Sequence, residues 1–270
     1  MTAPETVRPT RDGPRARPAW RVARLAADRR ENARTRTLVL EVPGWPGHLP
    51  GQHVDVRLTA EDGYTATRSY SMSAPADGER VEITVQRVPD GEVSPYLTED
   101  LPVGAEIEIL GPVGGWFVWR PAPAPTLLIA GGAGIVPIMA MGRAWLGTGD
   151  RAQDGAGRDG AARGGAGAMR VIYSLRSPDL LCYRDDLDAL AAAGAPVLYA
   201  YTRRPAPGGH RPAGRLTREE IVEHGFAADQ GPACFVCGPT GFVEAVAAAL
   251  IDLGHDPARV RTERFGPSGG

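Results

Sequence analysis

The sequence predicts two domains, an antiparallel β-barrel followed by an α/β domain built on a parallel sheet. Between residues 19 and 120, short alternating or apolar runs are separated by Gly, Pro and Asp at intervals typical of a sandwich or barrel. A Pro-rich connector, WRPAPAPT (119–126), follows. Beyond it, apolar strand-like runs alternate with helix-like runs, which is the pattern of a parallel sheet with crossover helices.

Length and composition agree with this division. The chain has 270 residues, of which 43% are hydrophobic, so two domains of ordinary size can each bury a core. We expect a disordered tail at 1–18, the barrel at 19–120 and the α/β domain at 121–270. The Gly/Ala/Asp/Arg-rich segment 147–168 cannot bury a core, and we expect it to be a flexible surface insertion.

Composition also excludes several classes of function. A net charge of -2 favours neither nucleic acid nor an anionic membrane as a partner, and no apolar run reaches the ~18 residues that membrane insertion requires. All 30 cationic side chains are Arg, so a catalytic or phosphate-binding Lys is excluded. Three Cys indicate a reducing, cytoplasmic location and are one short of the four thiolates of a plant-type [2Fe–2S] cluster. We expect no metal site.

In the predicted barrel, strand-like runs carry two polar motifs. The strands are RTRTLVLEVP, GQHVDVRLTA, RSYSMSA, RVEITVQRV and AEIEILGP, and PYLTEDL (95–101) is a helical insert. In RSYS, alternation places Arg68 and Tyr70 on one face, Ser69 on the other, and Ser71 at the strand end. In PDGEVSPYL, a Gly-containing turn leads into the short helix, which Ser94 could cap.

The first strand of the α/β domain runs into a glycine-rich turn, LLIAGGAGIVP (127–137). A strand, then Gly132 and Gly134, then a helix start places backbone N–H groups where they can bind a phosphate. The alternative is a tight turn without a ligand. The helix-like runs that follow are IMAMGRAWL, YRDDLDALAAAG, LTREEIVEHG and GFVEAVAAALIDLG, and the remaining strands are MRVIYSL, VLYAYT and ACFVCG.

The second strand of this domain ends in Ser174 and Arg176, where a ribose-binding carboxylate is common. Arg203 and Arg215 follow the third strand. A hydroxyl and guanidinium groups suit a 2′-phosphate better than a free 2′-hydroxyl, which favours NADPH over NADH. Any single Arg in so Arg-rich a chain could instead be a solvated surface charge.

The fourth strand, in ACFVCGPTGF (233–242), contains a C-x-x-C pair that invites a redox or zinc interpretation. Residues three apart on a strand point to opposite faces, which argues against both. Only Cys237, at the carboxyl end of the strand, lies where parallel sheets bind ligands, and Cys234 is expected to be a buried structural thiol.

Together these elements resemble the ferredoxin–NADP reductase superfamily, and they are most similar to flavin-binding modules that supply electrons to oxygenases. The matching pieces follow in family order: PGQHVDV, RSYS, GEVSPYL, GPVGGWF, GGAGIVP, YSLRS, CGPTGF and ERF. The resemblance implies a barrel that binds FAD and an α/β domain that binds NAD(P)H.

The resemblance also implies roles for individual residues. For FAD, Arg68 would pair with the pyrophosphate, Tyr70 would pack on the isoalloxazine ring, and Ser71 would lie near N5. The FAD phosphates would contact Gly91, Val93 and Ser94, and Phe265 would cover the other flavin face.

The nicotinamide nucleotide would pass Gly132, Gly134 and Ile135 and reach Cys237, Gly238 and Pro239. Ser71, Cys237 and Glu263 would form a catalytic polar cluster.

The resemblance therefore implies an FAD-dependent NAD(P)H oxidoreductase that passes electrons to a separate acceptor protein, such as a ferredoxin or an oxygenase partner. Two alternatives stay open. The acceptor could be a free flavin or a quinone-type molecule, or the chain could be a non-catalytic, FAD-binding regulatory subunit. Plant-type members end on an aromatic residue, whereas GPSGG follows Phe265 here, so the stacking role of Phe265 is open.

Overall fold

The described part of the chain forms two β-sheets, one antiparallel and one parallel. The computed structural model describes residues 18–153 and 166–266. The antiparallel sheet has the strand order β4-β3-β6-β1-β2-β5. Its strands are β1 (Ala19–Asn32), β2 (Thr35–Glu41), β3 (His53–Thr59), β4 (Thr65–Ser71), β5 (Arg80–Gln86) and β6 (Glu106–Val113). The predicted fold class, an antiparallel domain followed by a parallel α/β domain, is confirmed.

Alternation along the antiparallel strands builds one core. In β3, Val54 and Val56 are buried, while the intervening Asp55 is only partly buried. The same core takes Leu38 and Leu40 from β2. The two outermost strands, β4 and β5, approach each other at a bridge between Met72 and Ile83, so the sheet curls into a barrel. The predicted helical insert is present as a short helix at Tyr96–Asp100.

The parallel sheet has the strand order β11-β10-β7-β8-β9 and is covered on both faces. Its strands are β7 (Thr126–Gly131), β8 (Met169–Leu175), β9 (Val197–Tyr201), β10 (Ala233–Pro239) and β11 (Val260–Phe265). Four helices connect them: α1 (Ile135–Gln153), α2 (Arg184–Ala192), α3 (Arg218–His224) and α4 (Thr240–Asp252). Side chains of α1 and α2 belong to one buried cluster, and side chains of α3 and α4 belong to another.

Two strands were not predicted from the sequence. The first, β1, is long and rich in Arg, but Ala23 and Leu25 are buried between β2 and β6. The second, β11, pairs only with β10 at the sheet edge, and its sequence VRTERF is mostly polar. An edge strand with one buried residue, Val260, carries a weak hydrophobic signal.

The predicted insertion at 147–168 is wrong at both ends. Helix α1 continues to Gln153, because Ala, Arg and Gln are good helix formers and no Pro interrupts them. At the other end Ala166 is buried, and the carbonyl oxygen of Gly167 accepts a 2.9 Å hydrogen bond from Trp145 Nε1. Residues 154–165, like 1–17 of the predicted tail, lie outside the described residues.

Several hydrogen bonds join the two domains. The hydroxyl of Tyr183 donates to Thr84 Oγ1 at 2.5 Å, and the backbone N–H of Tyr183 donates to Glu31 Oε2 at 2.9 Å. Asn32 Nδ2 donates to the carbonyl oxygen of Leu180 at 3.2 Å. Because these groups are largely buried, the domains meet through paired polar groups rather than through a purely apolar contact.

Within the described residues, no helix combines the length and the apolar character needed to cross a membrane.

Gly134 should tolerate no side chain. A Cβ there would lie 2.2 Å from the carbonyl oxygen of Cys237, which is backbone and cannot move aside. We expect Gly134→Ala to lower the free energy of unfolding by about 1–3 kcal/mol or more. Gly147→Ala is the control, because Gly147 lies within α1, the helix that follows Gly134, with open space around it, and the change should stabilise by about 0.5–1 kcal/mol. Thermal unfolding followed by circular dichroism measures both, and equal melting temperatures for the two variants would refute the steric argument.

Candidate active site

A single hydrogen bond joins the end of a barrel strand to the edge of the parallel sheet. Ser71, the last residue of β4, donates from Oγ to Glu263 Oε1 of β11 at 3.1 Å. The two residues are 192 positions apart in the chain. The structure thus brings together two residues that the sequence placed in one cluster.

Cys237 lies beside this pair but is buried. It is the register partner of Glu263 across β10 and β11, and its side chain is 1% exposed. Burial, together with the nearby Glu263 carboxylate, raises the pKa of the Cys237 thiol well above its usual range. The group therefore stays a neutral thiol near neutral pH and is not a nucleophile.

Glu263 has an unusual environment for a carboxyl group. Burial raises its pKa from 4.5 to about 6, and the hydrogen bond from Ser71 opposes this shift. A carboxyl group with a pKa near 6 exchanges protons readily around neutral pH. Ser71 and Glu263 together could therefore hold or transfer a proton at the domain boundary.

The remaining RSYS residues divide between the two faces of β4. Ser69 donates to Asp55 Oδ1 at 2.5 Å on the solvent side, away from Arg68 and Tyr70. Tyr70 packs against the barrel core, and burial raises its pKa to about 12, so the phenol stays neutral. Arg68 is half exposed, and its Nη2 donates to Glu92 Oε2 at 2.9 Å.

The turn that carries Gly91, Val93 and Ser94 lies beside Arg68, as the Arg68–Glu92 pair shows. One expectation about this turn is wrong. Ser94 does not cap the following helix, because its hydroxyl accepts a 3.0 Å hydrogen bond from Val88 N–H instead. The N–H of Gly91 is likewise bonded to the carbonyl oxygen of Val88, and the Val93 side chain is buried in the barrel core.

The glycine-rich turn at the start of α1 is open on one side and closely packed on the other. Gly132 has φ +54, and a Cβ there would meet nothing within 4 Å. Gly134 instead packs against the end of β10, as described above. Gly238 is also close-packed, since a Cβ on it would lie 2.7 Å from Phe242 and 3.1 Å from the Cα of Gly131. The open side of the turn has room for a ligand.

A cleft of about 270 Å³ lies between this turn and the barrel. The α/β domain contributes Gly132, Ile135, Arg176, Pro239 and Phe265 to its wall, among others. The barrel contributes Arg34 and Arg87, which the sequence did not single out. Phe265 is 37% exposed, so an aromatic face is available at the cleft.

The predicted arginine set is only partly gathered at the cleft. Arg176 lines it, whereas Ser174 is buried, and Arg203 and Arg215 are exposed outside its wall. Arg203 stays close to Arg176, because its backbone N–H donates to the Arg176 carbonyl oxygen at 2.9 Å. Arg204 is paired with Asp179.

Sequence reasoning missed Glu92 and the two barrel arginines. Glu92 is part of the GEVS motif, but no spacing rule links it to Arg68, 24 residues earlier. Arg34 precedes β2 and Arg87 follows β5, and the pairing of these two strands brings the start of β2 next to the end of β5. Their common location depends on sheet topology rather than on local pattern.

Two family models match the chain. Residues 23–118 match an oxidoreductase FAD-binding domain, and residues 128–248 match an oxidoreductase NAD-binding domain. The chain belongs to the ferredoxin–NADP reductase superfamily. Within this family it combines an FAD-binding and an NAD-binding oxidoreductase domain.

Relatives of known name agree with this assignment. A flavohemoprotein from Pseudomonas putida is 31% identical over 221 residues, which is 81% of this chain and 51% of the relative. A glycine betaine monooxygenase reductase subunit from Pseudomonas aeruginosa is 31% identical over 225 residues, covering 81% of this chain and 56% of the relative. The chain thus spans about half the length of these curated relatives.

A solved structure has the same arrangement of both domains. The FAD/NAD-binding domain of nitric oxide dioxygenase from Vibrio cholerae superposes with a TM-score of 0.76 at 25% identity, covering 92% of this chain and 99% of that chain.

The residues present fit the two cofactors that the family binds. A half-exposed guanidinium and a neutral Tyr ring lie on one face of β4, next to the 91–94 turn. The open glycine turn and the aromatic face of Phe265 border one cleft at the carboxyl end of the parallel sheet. Such edges are where doubly wound sheets bind nucleotides.

The raised pKa of Glu263 makes a pH-dependent stability prediction. A carboxyl group with a folded-state pKa above its unfolded value favours folding below pH 4.5, and this contribution is lost as pH rises through about 6. Glu263→Gln removes the buried charge, so its stability relative to wild type should increase by about 1 kcal/mol between pH 5 and pH 8. Denaturant unfolding at several pH values measures this difference.

Glu108→Gln is the control for this experiment. Its hydrogen bond from Arg57 holds the pKa of Glu108 below its usual value, so the variant should show no such trend over that pH range. A pH-independent difference for Glu263→Gln would contradict the assigned environment of the carboxyl group.

Proposed function

We propose that this protein takes a hydride from NADPH onto FAD and passes the electrons on to a separate redox protein, with Ser71, Glu263 and Cys237 forming the polar cluster at the reacting atoms. The observation that carries the proposal is the Ser71–Glu263 hydrogen bond, which joins the flavin strand to the edge of the nucleotide-binding sheet. When bound, the cofactors supply the redox chemistry: NADPH gives up two electrons and one proton as a hydride, and the flavin releases the electrons singly.

In this proposal Arg68 and the 91–94 turn hold the FAD pyrophosphate. Arg68 donates one hydrogen bond to Glu92, and both side chains are about half exposed. A phosphate can therefore replace the carboxylate with little loss of buried contact. Tyr70 presents a neutral ring to the flavin, and Phe265 lies at the cleft. Gly132 leaves space at the start of α1 for the pyrophosphate of the nicotinamide nucleotide.

The preference for NADPH rests on charge at the cleft. Arg176 lines its wall at the end of β8, and Arg203 is bonded to Arg176 through the backbone. No Asp or Glu is among the residues that line this cleft in the described part of the chain. A guanidinium without a competing carboxylate suits a 2′-phosphate.

The separate acceptor is supported by the name of one relative, a monooxygenase reductase subunit. Flavohemoprotein relatives support a second candidate, in which a haem group receives the electrons. Steady-state assays with NADPH distinguish the two. If the protein reduces a ferredoxin or an oxygenase component much faster than it reduces a separate haem protein, the first candidate is supported. If it reduces the haem protein faster, the second candidate is supported.

Arg176→Ala tests the coenzyme assignment. Losing a charge-assisted contact to the 2′-phosphate, worth about 1.5–3 kcal/mol, should lower kcat/KM for NADPH about 10- to 150-fold. The value for NADH should change less than about threefold, because NADH has no 2′-phosphate. Arg204→Ala removes a neighbouring exposed Arg that is paired with Asp179, and it is the matched control. Equal losses for both coenzymes would refute the role of Arg176, and equal kcat/KM values in the wild type would refute the preference.

Arg68→Ala tests the flavin site. Loss of a charged phosphate contact should weaken FAD binding by about 2–4 kcal/mol, or about 30- to 1000-fold in Kd. Arg24→Ala removes a similarly exposed Arg from another barrel ion pair, with Glu41, and should leave Kd unchanged. Fluorescence quenching of FAD by the apoprotein gives both constants. Equal Kd values for the two variants would count against the assignment.

A further inference from the structure

Arg143 is the most extensively bonded guanidinium among those that reach across the domain boundary in the described residues. From helix α1, its Nε and Nη2 donate to the two carboxylate oxygens of Asp186, both at 2.7 Å. Its Nη1 donates to Glu82 Oε1 at 2.5 Å and to the carbonyl oxygen of Ser73 at 3.0 Å. Asp186 belongs to the α/β domain, whereas Glu82 and Ser73 belong to the barrel.

The barrel partners of Arg143 lie close to the end of β4, the strand that carries the RSYS motif. Ser73 lies two residues beyond Ser71 and is fully buried. Its hydroxyl donates to Glu82 Oε1 at 2.7 Å, and its backbone N–H donates to the Glu82 carbonyl oxygen at 2.9 Å. Ser73 and Glu82 therefore form one rigid unit, and Arg143 holds both of its members.

Helix α1 connects Arg143 to the glycine turn. Helix α1 begins at Ile135, directly after Gly134, and Arg143 follows eight residues later, about 12 Å along the axis. An α-helix of this length transmits displacement as a rigid rod. Any shift of Arg143 relative to Ser73 therefore shifts the glycine turn relative to Ser71.

The surroundings of Arg143 keep it in one geometry. Its side chain is 16% exposed, and its guanidinium lies 5.2 Å from the centre of the Tyr183 ring. Tyr183 is itself bonded to Thr84 of the barrel. A planar fork with two carboxylates and a carbonyl oxygen has little freedom to rotate, and a Lys in its place would lose most of these bonds.

We propose that Arg143 is a positioning residue that fixes the spacing between the glycine turn of the α/β domain and residues 71–73 of the barrel, and that this spacing sets the rate of hydride transfer. The inference rests on the proposed function, because it assigns the two ends of that spacing to the two cofactors. A displacement of about 1 Å at a reacting centre can lower the rate about 100-fold. The hydrogen bonds of Arg143 therefore affect the reaction although Arg143 does not touch the reacting atoms.

The test compares wild type with R143K, R143A and R57A. Arg57 makes a similar two-bond fork, to Glu108, but this ion pair stays inside the barrel, so R57A controls for the loss of a guanidinium. Rapid mixing with saturating NADPH under anaerobic conditions gives the rate constant of flavin reduction, and its concentration dependence gives the Kd. Bound FAD is measured on each preparation.

We expect the rate constant to fall about 100-fold in R143A and about 10-fold in R143K, with Kd and FAD content within about threefold of wild type. R57A should match the wild type. Hydrogen exchange without coenzyme gives a second readout. The amide of Ser73 should exchange faster in R143A and R143K, because Ser73 and Glu82 lose their hydrogen bonds to helix α1. Its exchange rate should be unchanged in R57A.

Two outcomes overturn the inference alone: a wild-type rate constant in R143A, or a loss of rate that follows the loss of bound FAD. If R143A does not fold, the rate constant of R143K, which keeps the positive charge, is compared with that of wild type instead. If NADPH fails to reduce the wild type, the proposed function fails and this inference fails with it. A reducible wild type with an equally fast R143A removes only the inference.

Discussion

The hydrogen bond between Ser71 and Glu263 requires the end of one barrel strand to meet the carboxyl edge of the parallel sheet. Much of the architecture follows from that contact. Strand β11 must lie beside β10 to present Glu263 next to Cys237, and β4 must reach the domain boundary. The glycine turn then faces the barrel across a cleft that is lined by residues distant in sequence, such as Arg34, Gly132 and Phe265.

Charge pairing distinguishes the structural Arg143 from the arginines that we propose to bind the cofactors. Arg143 is shared among two carboxylates and a carbonyl oxygen and is mostly buried, so it belongs to the framework. Arg68 is half exposed with a single carboxylate partner, and Arg176 lies on the wall of the cleft. In a chain whose cations are all Arg, burial and the number of partners distinguish these roles, whereas residue type does not.

Local pattern predicted a good part of this arrangement. Alternation placed Cys234 and Cys237 on opposite faces, and the two side chains do belong to different buried clusters. The same rule separated Ser69 from Arg68 and Tyr70. It could not find β11, whose polar edge sequence gives little periodic signal, nor the Arg68–Glu92 and Arg143–Ser73 contacts. Those contacts depend on how distant strands and helices pack, which spacing along the chain does not encode.

We propose that the two domains form one site in which NADPH reduces FAD. An anaerobic titration of the FAD-loaded protein with NADPH, followed by absorbance, tests it most directly. We expect the flavin bands to bleach fully with about one equivalent of NADPH, because one hydride reduces one flavin. Flavin bands that persist in excess NADPH while FAD stays bound would contradict it.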